Sequence, residues 1–322
     1  MTTSTLRRRS APAAAVLSLA LALSACGGSN EEQAGGGDSA MSGDVLSDGS
    51  STVAPLTSAA AEFFAEEEPG VNVSVATSGT GGGFEVFCQG NTDISNASRP
   101  IKDEEIAACE ENGVEYTELT VARDALTVVT SAENDFITCL STEQLATLWG
   151  PEAEGTITTW DQVDPSFPAE PIELYGPGTD SGTFDYFTDE INGEEGVSRT
   201  DYNASEDDNV IVQGVSGSSN ALAYFGFTYY EENAQSLKAI EIDSGDGCVA
   251  PSAETVQDGT YTPLGRPLFI YVNNASYSEK PAVAAFVDFY AQSDAEIAEA
   301  AQYIPLNDEQ RAELESAIGS IA

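Results

Sequence analysis

Short apolar runs alternate with amphipathic stretches along most of this chain, the pattern of an α/β protein. Residues 71–75 (Val-Asn-Val-Ser-Val) alternate apolar and polar, as a half-buried strand does, and end at a Ser/Gly/Thr cluster. The Val/Leu/Thr-rich run 119–130 suits a buried strand or a pair of strands in a crossover. Residues 172–175 form a short strand feeding a Gly/Pro turn, 221–230 read as strand, turn and helix, and 267–272 is a fully apolar strand. Helical periodicity predicts helices over 55–67, 279–292 and 307–319. The first has Ser51-Thr52 just ahead of it and Pro55 in its first turn, the usual chemistry of a helix start. The apolar stripes of these helices face a core and are assigned no site. No internal repeat is visible.

The N-terminal pattern is different. Arg7-Arg8-Arg9 precede an apolar run over 11–25, which is too short to span a bilayer comfortably and reads as the core of a signal peptide. Leu23-Ser24-Ala25-Cys26 resembles a bacterial lipobox, in which Cys26 becomes the lipidated first residue. The expectation is a signal peptide over 1–25, then the lipidated cysteine and a flexible linker over 26–43, rich in Gly, Ser, Asn, Glu and Gln. The folded part then begins near Val45. The protein would be exported and lipid-anchored to the outer face of the cell membrane, or periplasmic, and otherwise soluble.

Charge narrows the function. The 322 residues carry 54 acidic and 11 basic side chains, a formal net charge of −43, and no histidine. Loss of the three leading arginines takes the charge to −46. Nucleic acid and anionic membrane surfaces attract Lys/Arg-rich faces, so neither is expected as a partner. Without His there is no Ser-His-Asp or Cys-His machinery and no His metal site. With 41% hydrophobic residues the chain can still build a core, so the acidity does not signal disorder. It suits either a surface kept soluble at high salt or a merely acidic secreted protein. Four cysteines remain after Cys26: Cys88, Cys109, Cys139 and Cys248. In an oxidising compartment they suggest two disulfides, with three possible connectivities, and the lack of a Cys-x-x-Cys pair argues against zinc. No metal and no cofactor is expected.

Four segments share one design, a Ser/Thr/Gly cluster between a strand and a helix: 48–52, 78–83, 95–100 and 178–183. Glycine lets backbone N–H groups approach a ligand, hydroxyls add donors, and a helix N-terminus supplies unpaired amides and the positive end of its dipole. One such segment is an ordinary cap; four point to a small oxyanion. The P-loop lysine and the dinucleotide glycine spacing are both missing.

The sequences D-G-S-S-T-V-A-P-L (48–56), S-G-T-G-G-G-F (78–84), D-I-S-N-A-S-R-P-I (93–101) and G-P-G-T-D-S-G-T-F-D-Y-F (176–187) together resemble PstS-type phosphate-binding proteins, the substrate-binding lipoproteins of phosphate ABC transporters. The resemblance runs from about Asp48 to Tyr290. It implies a two-lobed type II periplasmic-binding-protein fold of the α/β class, with the ligand cleft between lobes at 44–125 plus 263–322 and at 126–262. A pairing of Cys88 with Cys109 and of Cys139 with Cys248 would keep each bridge within one lobe.

By position, Ser51, Thr52, Ser78, Thr80, Ser98, Ser181, Gly182 and Thr183 would bind phosphate. Two departures stand out. Where many members carry an Asp in the third segment, this chain has Ser98; where many carry an Arg before Ser-Gly-Thr, it has Pro177 or Gly178. Arg99 would be the substitute cation, and Asp180 either the acceptor of the anion's proton or a helix cap. Asp93 reads as structural. The expected function is capture of inorganic phosphate by a monomer and delivery to the permease, without catalysis. The alternatives are another oxyanion such as sulfate or molybdate, or a phosphate sensor or adhesin on the same fold. A secreted phosphatase would need His ligands or an all-carboxylate metal site, and no such constellation is apparent.

Overall fold

The computed structural model describes residues 41–321. The expected signal peptide, Cys26 and all but the last residues of the linker lie outside the described residues. The chain opens with three parallel strands, β1 (Gly43–Gly49), β2 (Val71–Val75) and β3 (Ile94–Ala97), connected by α1 (Ala54–Glu67) and α2 (Gly79–Phe87). Helix α3 (Asp103–Asn112) leads into β4 (Tyr116–Ser131), which is 16 residues long. Then come β5 (Cys139–Ser141), α4 (Thr142–Trp149), β6 (Glu173–Pro177), α5 (Gly182–Phe187), β7 (Asn203–Ser205), α6 (Asp208–Ser216), β8 (Ala221–Gly226) and α7 (Phe227–Asn233). Short strands β9 (Leu237–Ala239), β10 (Glu241–Asp243) and β11 (Cys248–Val249) and helix α8 (Ala253–Gln257) precede β12 (Gly265–Asn273). The C-terminal part is helical: α9 (Asn274–Glu279), α10 (Pro281–Gln292), α11 (Asp294–Ala300) and α12 (Asp308–Ile318).

The main sheet runs β2-β1-β3-β12-β4-β8-β6-β7, with β9 also paired to β4, and β11-β10-β5 make a second small sheet. The run 119–130 is one strand, and its length has a purpose. Residues 116–125 of β4 pair antiparallel with β12, and residues 126–130 pair with β8. One strand thereby serves two hydrophobic cores. The first gathers Val45, Leu56, Phe64, Leu119, Ile270 and Phe286. The second gathers Leu126, Trp149, Trp160, Phe187, Leu222 and Tyr224. Phe187 stacks on Tyr224 with ring centroids 3.8 Å apart, and Trp149 meets Tyr224 edge-on at 4.8 Å. Truncating one of these aromatics to Ala would cost about 3–5 kcal/mol.

Local sequence explains most element ends. Ser141 and Gln144 form a capping box at α4, and Asn307 with Gln310 another at α12. The helix expected over 279–292 is α10, which starts two residues later at Pro281, where the missing N–H is not needed; the short α9 ends just before it, at Glu279. The disulfides are Cys88–Cys109 and Cys139–Cys248. The first sits beside Phe84 and Phe87 in a small satellite core, and the second ties β5 to β11 within the small sheet. No helix among the described residues is long and apolar enough to cross a membrane.

Candidate functional site

The C-terminal ends of β1, β2 and β3 carry three of the Ser/Thr/Gly segments to one cleft, and β6 brings the fourth from the second core. A cavity of about 410 Å³ lies there, lined on one side by Ser51, Thr52, Ser78, Thr80 and Ser98.

Helix α1 has no side-chain cap at Val53, so the hydroxyls of Ser51 and Thr52 are not spent on the helix. The Ser51 and Thr52 N–H groups have no protein acceptor among the described residues. Tyr303 donates to the Thr52 carbonyl at 2.8 Å and holds the turn in place. The glycine run after Ser78 is the first part of α2 and not a loop, with Ser78 at the N-cap. Close approach demands it: a Cβ on Gly83 would fall 2.4 Å from Gly49 Cα. Gly49 itself has φ +137°, and a Cβ there would fall 2.2 Å from the Asn96 carbonyl oxygen. Asp48 accepts from the N–H groups of Gly49 (2.7 Å) and Ser78 (3.0 Å), clasping α2 to the end of β1. Thr80 Oγ1 lies 3.1 Å from Ser98 Oγ and accepts from the Ser98 N–H at 3.3 Å, which joins the second segment to the third.

Across the cavity stands α5. Ser181 is its N-cap, accepting from the Thr183 N–H at 3.2 Å, so the capping role considered for Asp180 belongs to Ser181. Gly182 lines the cavity, and a Cβ there would lie 3.0 Å from Thr52 Oγ1, which brings the two cores close at this point. Thr183 lines an adjoining cavity of about 250 Å³ with Thr52, Arg123 and Asp208. Asp180 is exposed, its N–H 3.5 Å from Glu206 Oε1, and neither it nor Ser181 is among the residues lining the cavity.

Arg99 lines the cavity, but its guanidinium is held by the Glu105 carboxylate at 2.9 and 2.7 Å and also donates to the Pro100 carbonyl. The Glu105 hydrogen bond raises the Arg99 pKa. Burial opposes ionisation of Glu105, yet the bonds from Arg99 and the Lys102 N–H leave its pKa lowered. Asp93 is buried and accepts from Leu46 N–H, Ser276 Oγ and Lys280 Nζ, the structural role its position suggests.

The same cavity is lined by residues the sequence reading passed over: Arg266, Lys102, Asp185, Tyr186, Asp189, Glu190 and Glu195. Burial raises the Asp185 pKa, with Glu195 adding to the effect and Arg266 opposing it. Burial likewise raises Glu190, with help from Asp189. Asp185 stands one helical turn after Ser181, inside the quoted 176–187 run, so its signal was present. Arg266 lies far along the chain, before the apolar strand 267–272, and only the β12–β4 pairing brings it here. Among the described residues, Cys139, Glu241 and Cys248 have metal-ligand spacing, but the two sulfurs are bonded to each other.

Neutral donors converge on one wall, carboxylates stand on the other, and a strand shared by two cores runs behind them. This is the two-lobed α/β architecture of a solute-binding protein, with the ligand cleft between lobes. The chain matches the family described as PBP superfamily domain over residues 31–294 and belongs to that family. It is 51% identical over 261 residues to Protein SphX of Synechocystis, covering 81% of this chain and 78% of that one. It is 39% identical over 308 residues to the phosphate-binding protein PstS of Staphylococcus saprophyticus, covering 94% and 93%. The crystal structure of a possible phosphate binding protein from Planctomyces limnophilus superposes with a TM-score of 0.82 at 41% identity, covering 87% of this chain and 99% of that one.

Proposed function

We propose that this protein is the extracytoplasmic receptor of a phosphate ABC transporter, closing two lobes over inorganic phosphate and handing it to the permease. The observation that carries this reading is the cavity itself, where Ser51, Thr52, Ser78, Thr80 and Ser98 face a wall that carries Gly182 and a group of carboxylates. Hydroxyls and free amides suit a tetrahedral oxyanion. A desolvated carboxylate suits one that still bears a proton. Monohydrogen phosphate donates a hydrogen bond to such an acceptor, whereas sulfate has no proton to give. Asp185, on the cavity wall, takes the acceptor role that the sequence suggested for Asp180.

Lobe limits at 44–125 plus 263–322 and at 126–262 are proposed; the two cores divide a few residues from them, between Ala122 and Ala125 on β4 and between Leu264 and Leu268, and Ile304 packs with the second core. Cys26 would carry the lipid that keeps a monomeric receptor near its permease. Binding with hinge closure, and no covalent chemistry, is the mechanism; a chain without histidine lacks the usual phosphatase machinery.

The test is a calorimetric titration of the refolded, ligand-stripped protein with phosphate and then sulfate, at pH 6 and 8 and at low and high salt. Submicromolar phosphate binding that excess sulfate does not displace supports the reading. Absence of phosphate binding under every condition overturns it. Turnover of a chromogenic phosphate ester would overturn the non-catalytic mechanism.

A further inference from the structure

Arg266 is the basic residue of the cavity whose bonds tie different parts of the fold together. It lies on β12, beside the place where β4 passes from the first core to the second. Its Nε donates to Asp124 Oδ2 at 3.1 Å, and its Nη2 is 3.0 Å from the same oxygen. Nη2 also donates to Thr52 Oγ1 at 3.3 Å. The guanidinium carbon lies 3.5 Å from the centroid of the Tyr186 ring on α5. Tyr186 is in turn fixed by its hydroxyl, which donates to the Pro263 carbonyl at 2.5 Å. One side chain therefore touches the first anion-facing turn, the crossing strand and the helix that carries Asp185.

Its donors are unequally used. Asp124 and Thr52 occupy Nε and Nη2, and Nη1 has no protein acceptor among the described residues. The contrast with Arg99 is chemical: both Nη groups of that residue are committed to Glu105, a neighbour six positions away on the same lobe. Lys102 is exposed and sits at the N-cap of α3.

We infer that Arg266 is the closure latch of the cleft. Its Nη1 edge contacts the bound oxyanion, and its face stacks on Tyr186, so that occupancy of the site favours α5 drawn against the Ser51-Thr52 turn. Planarity is what the role needs. A guanidinium offers an edge for hydrogen bonds and a face for a ring at the same time, and a lysine ammonium does not. Asp124 keeps the plane oriented and neutralises it, so no unpaired cation is buried when the anion leaves. This inference rests on the oxyanion-receptor reading above and assigns the regulation of that same site.

The experiment measures phosphate affinity by calorimetry and the ligand-induced change in radius of gyration by small-angle X-ray scattering. The proteins are the wild type, Arg266→Lys, Tyr186→Leu and the charge-neutral double variant Arg266→Met with Asp124→Asn. The double variant avoids leaving a buried carboxylate unpaired. The latch predicts that the double variant loses at least about tenfold in affinity and that Arg266→Lys restores only part of it. Tyr186→Leu keeps measurable binding but loses most of the contraction that phosphate produces in the wild type. Wild-type affinity in the double variant, or an undiminished contraction in Tyr186→Leu, overturns the latch. If the wild type binds sulfate or molybdate and not phosphate, the phosphate reading fails, and the same order of variants with that anion supports the latch. A wild type that binds no oxyanion overturns both.

Discussion

The two walls of the cleft solve opposite problems with opposite chemistry. On the first lobe, Ser51, Thr52, Ser78, Thr80 and Ser98 present neutral donors at strand ends, Arg99 is paired with Glu105, and Lys102 is exposed at the N-cap of α3. On the second, α5 and the segment after it bring Asp185, Asp189, Glu190 and Glu195, with Arg266 reaching across from β12. On the proposed reading, a chain with a net charge of −43 would hold an anion because the donor wall acts at hydrogen-bond range, where fixed dipoles outweigh screened surface charge. The carboxylate wall does not attract the ligand. On the receptor reading proposed above, it would decide which protonation state of a tetrahedral anion is tolerated, so the difference between walls would separate affinity from selectivity.

The harshest way to break this contrast is to deform the donor wall. Gly49→Ala places a Cβ against the Asn96 carbonyl in a left-handed region, which costs roughly 3 kcal/mol or more and lowers Tm by about 6 °C or more in thermal melts, with phosphate binding lost as well. Removing single donors should spare the fold and reduce affinity. Ser51→Ala and Thr80→Val are each expected to weaken phosphate binding about tenfold, roughly 1.4 kcal/mol, by calorimetry, with Tm unchanged in Ser51→Ala and lowered by a few degrees in Thr80→Val, which leaves the Ser98 N–H without its acceptor. Asp185→Asn should sharpen the division. Phosphate affinity falls several-fold while sulfate affinity holds or rises, so the ratio of the two constants narrows by roughly tenfold. A parallel loss for both anions would return Asp185 to a general structural role.

The smallest effect concerns Asp208, in the adjoining cavity. Burial, with Asp207 and Glu206 nearby, raises its pKa to about 6. A folded-state value above the unfolded one means that the protonated form favours folding and that this contribution is lost as pH rises through about 6. Asp208→Asn is therefore expected to stabilise by roughly 1 kcal/mol at pH 8, with the gain vanishing below about pH 4, in melts run across that window.

The donor wall was legible in the sequence and the carboxylate wall was not, for a physical reason. Ser51, Thr52, Ser78, Thr80 and Ser98 sit in contiguous segments whose composition is rare outside turns and helix starts, so local chemistry reveals them. Acidic residues are so common here that Glu190 carries no local contrast, and Asp185, though inside the 176–187 run, was passed over for Asp180, which lies beside Ser181. Arg266 depends on a nonlocal pairing: it faces Asp124, 142 positions earlier in the chain. The same limit applied to the fold. The apolar runs of β4, β8 and β12 marked strands, yet the division of β4 between two cores emerges only from its register with β12 and β8. Helix α10 was marked by its periodicity and by Pro281 at its start, whereas the six-residue α9 before it is too short to show a helical period.

A crystal structure of the ligand-stripped protein regrown with phosphate tests the division of labour between the walls most directly. The expected result is one phosphate in the cleft cavity, with Ser51, Thr52 and Thr80 as donors, Arg266 Nη1 in contact, and one Asp185 carboxylate oxygen at about 2.5–2.7 Å from a phosphate oxygen, the length of a charge-assisted O–H···O bond. Phosphate bound through Asp180 and Arg99, or a cleft that stays free of phosphate while the anion binds elsewhere, would contradict it.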